Sequence, residues 1–241
     1  SLIGPSFRRR EVSSGIWNCS LSQITVRPMK RQQTRDAKKR DRTRKPSVRG
    51  QEKVEKFDTE KAFSDAVNHH QAGQLQKAEG LYKRVLDVEP THAYSLNNLG
   101  AVFKAQGRSE EAITSCEKAL SVKPDYAEAH CNLGLILFEQ GRLDKAATNY
   151  GRALSIKPDY AEAHFGLAVI LHQQGRLEEA VTRFDRTIAI RPGLAEAHVE
   201  LGRSLYELDR LDEAAASYRR AIEFKAGHAG AHFNLGQILT D

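Results

Sequence analysis

Cysteine is scarce, and the little there is does not pair. Cys19, Cys116 and Cys131 are widely spaced and fit neither a disulfide framework nor a CxxC ligand pair, so a reducing, cytoplasmic setting is expected. Long apolar runs are missing as well: Leu133 to Phe138 and Leu167 to Leu171 fall far short of the about 20 residues a bilayer requires. A secretory leader needs a cationic start followed by a long apolar stretch, whereas Arg8, Arg9 and Arg10 precede the mixed segment Glu11 to Ser22. Without that route the glycosylation-like triplet Asn18-Cys19-Ser20 carries little weight. Also absent are GxGxxG, a P-loop, HExxH and GxSxG, which leaves no visible enzyme chemistry and no cofactor to expect. Aromatics are only 7% of the chain; with 17 glycines and many alanines, this suits thin helices packed through small side chains rather than a sheet core. An all-α fold follows.

Charge divides the chain. Residues 1 to 58 hold 16 Lys and Arg against 6 Asp and Glu, while the remainder holds 21 against 25, so the net +6 comes from the N-terminal segment alone. Arg27 to Lys56 carries 13 basic and 4 acidic residues with hardly any large apolar side chain, too few to offset the entropy of ordering. A disordered basic arm is therefore predicted over 1–58. Because the chain opens on Ser1 and its one methionine is Met29, the numbering begins either inside a longer product or upstream of the true start.

The remainder is periodic. Pro90, Pro124, Pro158 and Pro192 each lie 34 residues after the one before, and so do Ala78, Ala112, Ala146, Ala180 and Ala214. Gly73, Gly107, Gly141 and Gly175 share the period, with Asp209 in the next place; Leu99, Leu133, Leu167, Leu201 and Leu235 keep it too. A period of this length signals stacked supersecondary units. In Ala127 to Tyr160, Leu133, Ile136 and Leu137 form an apolar stripe on a first helix, and Gly134 admits a close partner. Gln140-Gly141-Arg142 makes a tight turn into a second helix from about Leu143 to Ile156, with Ala146, Tyr150 and Ala153 facing the first and Pro158 ending it. Asp125 with Glu128, and Asp159 with Glu162, are expected to cap the first helices.

The order Leu-Gly, turn Gly, Ala, aromatic, Ala, Pro resembles the tetratricopeptide repeat. The resemblance covers units 59–92, 93–126, 127–160, 161–194 and 195–228, plus a partial unit 229–241. It implies a right-handed superhelical solenoid of helix-turn-helix repeats whose inner groove, lined mainly by first helices, binds extended or helical segments of protein partners. By family position the groove residues are Asn98, Asn132 and Asn234, an amide column broken at Gly166 and Glu200, with Asn97, Cys131, Phe165, Val199 and Phe233 beside it. Lys104, Phe138, His172 and Tyr206 lie on the later turn. Groove and packing positions adjoin, so packing between first helices is the alternative for any one of them. His130, His164, His198 and His232 form a further column. Stacked units about 10 Å apart cannot bring such residues to the ~2 Å of one metal ion, so packing is expected and no metal.

Gly175 to Ala180 and Pro158 to His164 also resemble repeats that precede the catalytic domain of O-linked N-acetylglucosamine transferases. A substrate-recruiting role in such an enzyme is the alternative to a stand-alone, non-catalytic scaffold. The half unit ending at Asp241 leaves Leu235, Ile238 and Leu239 without a second helix, which predicts further chain. Two readings are open for residues 27–56: attraction to nucleic acid or an anionic surface, or a solubilising tail, the latter suggested by the lack of aromatics to stack on bases. Deleting residues 1–56 separates them, since only the first reading predicts loss of polyanion binding at low salt.

Overall fold

In a computed structural model, residues 57–240 are described, and among them the chain is entirely helical. The basic segment, with Cys19 and Met29, lies outside the described residues. First helices of the units are α1 (Thr59–Gln71), α3 (Ala93–Ala105), α5 (Ala127–Glu139), α7 (Ala161–Gln173), α9 (Ala195–Glu207) and α11 (Ala229–Thr240). Second helices are α2 (Leu75–Val88), α4 (Ser109–Val122), α6 (Leu143–Ile156), α8 (Leu177–Ile190) and α10 (Leu211–Phe224). No described helix is long and apolar enough to cross a membrane.

Each helix packs on the next. Successive first helices from α1 to α9 also touch one another, whereas no two second helices make a comparable contact. First helices therefore form the inner wall of a right-handed superhelical solenoid, and second helices its outside. This placement buries first helices more completely than a single apolar stripe suggests: Cys131 to Leu137 of α5 are buried without interruption.

What sets the spacing is a large side chain between small ones. Ala146, Tyr150 and Ala153 of α6 are fully buried. A Cβ added to Gly134 would lie 3.0 Å from the Tyr150 ring, and one added to Gly166 in the next unit would clash with that ring outright. One ring thus fills the gap left by glycines of two units. Tyr218 repeats the arrangement against Gly202, and the Cys116 thiol against Gly100, each 2.7 Å from where a Cβ would stand. Burial of a side chain of this size stabilises by about 2–3 kcal/mol.

The turns follow the glycine column. Gly73, Gly107, Gly141 and Gly175 have φ between 71° and 76°, and Asp209 holds the same left-handed conformation at φ 61°. Asp is among the few non-glycine residues that tolerate it.

Entry into the first helices differs from the expected carboxylate caps. Tyr126 and Tyr160 are the N-cap residues of α5 and α7, without a side-chain cap, and Asp125 and Asp159 precede them. Both tyrosines are buried, and burying such a ring outweighs the about 1 kcal/mol of a cap. The glutamates are used elsewhere: Glu162 accepts from Arg191 at 2.9 Å, Glu196 from Lys225 at 3.0 Å, and Glu128 faces Lys157 at 3.9 Å. Each pair ties the start of a first helix to the end of its own second helix. Only α1 has the expected kind of cap among the described first helices, with Asp58 accepting from the Lys61 amide.

The histidine column fastens the same region. His130, His164, His198 and His232 each place Nε2 2.8–3.1 Å from the carbonyl six residues back, that of Pro124, Pro158, Pro192 or Ala226. Described residues include no group of His, Cys, Asp and Glu able to hold a metal ion. For His164 this bond makes Nε2 the donor and leaves Nδ1 buried without a partner. Burial lowers the pKa of His164, and it drives His70, whose ring meets Tyr82 edge-on in the first unit, down to about 4.

Two outcomes are expected. Gly151→Ala, on the open face of α6, should raise stability by about 0.5–1 kcal/mol through helix propensity, whereas Gly166→Ala should lower it by about 1–3 kcal/mol through overpacking on Tyr150; urea unfolding measures both. The unfolded chain takes up protons near pH 6.5, which the folded His70 and His164 resist, so stability should be complete above that pH and decline as it falls toward about 4. Unfolding midpoints followed from pH 7 to 4.5 should show this decline, with a shallower slope in His70→Phe.

Candidate functional site

The inner wall is built from side chains that the helical period brings to the concave side of the first helices. Six of the twelve residues assigned to it are buried: Asn97, Asn98, Cys131, Asn132, Phe165 and Val199. Lys104, Phe138, His172 and Asn234 are half-buried, and Tyr206 and Phe233 are exposed.

The buried asparagines bond to one another and to tyrosines. Asn132 Nδ2 donates to Asn97 Oδ1 at 2.9 Å, Asn97 Nδ2 to Asn98 Oδ1 at 3.2 Å, and Asn98 Nδ2 to the Tyr82 hydroxyl at 3.3 Å. Asn97 also reaches the Tyr126 hydroxyl at 3.4 Å. This chain of donors crosses three units and satisfies amides that would be costly to bury unpaired. Burial raises the pKa of both phenols, keeping them neutral. Asn234 and Tyr218 meet at the recess of the last described units. The break at Gly166 now has a cause: the Tyr150 ring lies where a side chain would stand.

Along the later turn the charges are paired between units. Lys104 Nζ lies 3.0 Å from Glu139, and His172 contacts the Ser204 hydroxyl at 3.0 Å and Glu207 at 3.3 Å. Desolvation lowers the His172 pKa despite Glu207, so the imidazole is neutral at neutral pH.

Toward the C-terminal end the wall changes character. Arg203, Tyr206, Glu207, Tyr218, Asn234 and Gln237 line a recess of about 120 Å³. Tyr206 and Asn234 belong to the sequence-assigned set; Arg203, Glu207, Tyr218 and Gln237 do not. Their signal was present in the register, where Val67, Ala101, Leu135 and Val169 give way to Arg203 and Gln237. Arg203 donates to Glu200 at 3.0 Å, so the glutamate that interrupts the amide column orients the guanidinium beside the recess. Phe233 is 60% exposed where its counterpart Phe165, which meets Phe184 of its own second helix, is 1% exposed; no helix after α11 is described to cover Phe233. Amides, a guanidinium, a carboxylate and an aromatic edge together offer hydrogen bonds and apolar area.

Comparison with known proteins agrees with this architecture. Profiles described as TPR repeat match residues 100–141 and 134–175, and profiles described as tetratricopeptide repeat match 81–114 and 159–226. No curated protein matches the chain. Among solved structures, MamA is 26% identical over 71% of this chain and 93% of its own, with a TM-score of 0.59. YrrB, described as a TPR protein with an unusual peptide-binding site, is 23% identical over 73% and 91%, with a TM-score of 0.59. PilF of Pseudomonas aeruginosa is 19% identical over 76% and 85%, with a TM-score of 0.70. Helix pairs at the repeat period, the tyrosine wedged between small residues and these matches lead to one assignment: the chain belongs to the tetratricopeptide repeat family.

Proposed function

We propose that this protein is a non-catalytic scaffold that binds a polypeptide segment of a partner on the inner wall, at its C-terminal end. The observation that carries this reading is the recess of Arg203, Tyr206, Glu207, Tyr218, Asn234 and Gln237, the place where the inner wall keeps hydrogen-bonding groups and an aromatic side chain open to solvent. Farther toward the N-terminus, Asn97, Cys131, Asn132, Phe165 and Val199 are committed to packing or to internal hydrogen bonds, which supports a site concentrated in the last units. Tyr206 supplies an apolar anchor, Asn234 and Gln237 bond the main chain of the segment, and Arg203 meets its carboxylates.

The test is a pull-down in which captured proteins are quantified by mass spectrometry. Proteins retained by the wild-type chain should fall at least tenfold with Tyr206→Ala combined with Gln237→Ala, while far-ultraviolet circular dichroism stays unchanged. Equal capture by the variant and the wild type contradicts the assignment.

A further inference from the structure

The outside of the solenoid carries a second periodic pattern, independent of the inner wall. Each second helix ends on an apolar residue: Val88, Val122, Ile156, Ile190 and Phe224. Val88 is 54% exposed, Val122 41%, Ile156 39% and Phe224 48%, with Ile190 half-buried, so four of the five units present an exposed apolar side chain at this place. One helical turn earlier stands a cation in every unit, Arg84, Lys118, Arg152, Arg186 and Arg220, all exposed. At i and i+4 the two columns share one helix face. Arg220 is paired with Glu223, whereas Lys118, Arg152 and Arg186 have no ion-pair partner among the described residues.

Between α4 and α6 these columns border a notch of about 420 Å³, lined by Leu120, Pro124, Asp125, His130, Arg152 and Ile156 among others. The His130 ring lies with Nε2 3.1 Å from the Pro124 carbonyl and Nδ1 3.1 Å from Asn149 Oδ1. Two units later the corresponding place is filled from within. Phe224 takes the position of Ile156 and stacks on His198, the counterpart of His130, with ring centroids 5.4 Å apart and 22° between planes. Gly193 replaces Asp125 there, and the Phe224 ring passes 3.7 Å from where its Cβ would be. The last complete unit therefore displays the occupant that the notch at His130 accepts: an aromatic ring lying on the imidazole. Ile156 is too short to reach that place itself.

From this internal precedent, the open volume and the unpaired cations, we infer that the notch at His130 is a docking site for an acidic segment of a partner polypeptide. An aromatic side chain of that segment stacks on His130 against Leu120, Pro124 and Ile156. A neighbouring carboxylate pairs with Arg152 or Lys118, and the basic column sets the sign of the partner's charge. A recessed site for one side chain favours a polypeptide over a lipid surface, which a protruding ridge would serve better.

Ile156→Phe is the discriminating variant, because it closes the notch with the ring that the last complete unit already carries. Random short peptides displayed on phage are selected on the full chain and counter-selected on Ile156→Phe. The enriched peptides should carry Phe, Tyr or Trp next to Asp or Glu. Synthetic copies should bind at least tenfold more weakly to Ile156→Phe and to Arg152→Glu, with the thermal midpoint of each variant unchanged and binding to Tyr206→Ala preserved. Enrichment that ignores aromatic or acidic residues, or equal binding to Ile156→Phe, overturns the inference. So does a chain that selects no such peptides but co-sediments with phosphatidylserine vesicles in an Arg152-dependent way. Failure here leaves the inner-wall site untouched, since that site is read with Tyr206 variants.

Discussion

The fold depends on one kind of contact, a bulky side chain of a second helix pressed against small residues of the first helices on either side. Tyr150 shows it in full: Gly134 in its own unit and Gly166 in the next leave the room that the ring occupies. A helix pair cannot bury its apolar face alone, so stability in such an array lies in the interfaces between neighbours. The wedge makes each interface specific. Where the ring carries a hydroxyl near an asparagine, as at Tyr82 with Asn98, the same position adds a hydrogen bond between units. Where the wedge is Cys116, burial pushes its thiol up to about 12, and its role is packing rather than thiol chemistry.

That dependence explains which parts of the site could be read in advance. The 34-residue register gave each helix its place, because Pro, Gly and Ala columns report backbone and packing constraints directly. Tyr206 and Asn234, named by family position, both line the inner recess. The register did not reveal that Asn97, Asn98 and Asn132 face one another across units, because an asparagine satisfied by a neighbour and one presented to a ligand look alike in a sequence. The caps were misplaced for a related reason. Asp125 and Asp159 have the right chemistry, but the burial of Tyr126 and Tyr160 decides where the chain enters the helix. Arg203 and Gln237 were legible only as departures from an apolar column, a signal that needs the register aligned first.

Function follows from what the interfaces leave over. Amides and apolar side chains committed to stacking cannot also hold a partner, so the two proposed sites lie where groups stay open: the recess at Arg203 and Tyr206 inside, and the notch at His130 and Ile156 outside. The two faces differ in chemistry. Inside, the proposed site offers amides and paired charges to a polypeptide main chain; outside, the inferred site offers an imidazole face and unpaired cations to an aromatic ring beside a carboxylate.

The central claim is that the wedge couples neighbouring units, and Tyr150→Ala tests it most directly. Native-state hydrogen exchange should show α7 to α11 protected independently of α1 to α5 in the variant, with exchange accelerated at α6 and α7, whereas the wild type loses protection across the interface as one unit. If protection in the variant still falls together across α5, α6 and α7 with little loss of stability, the wedge is not what joins the repeats.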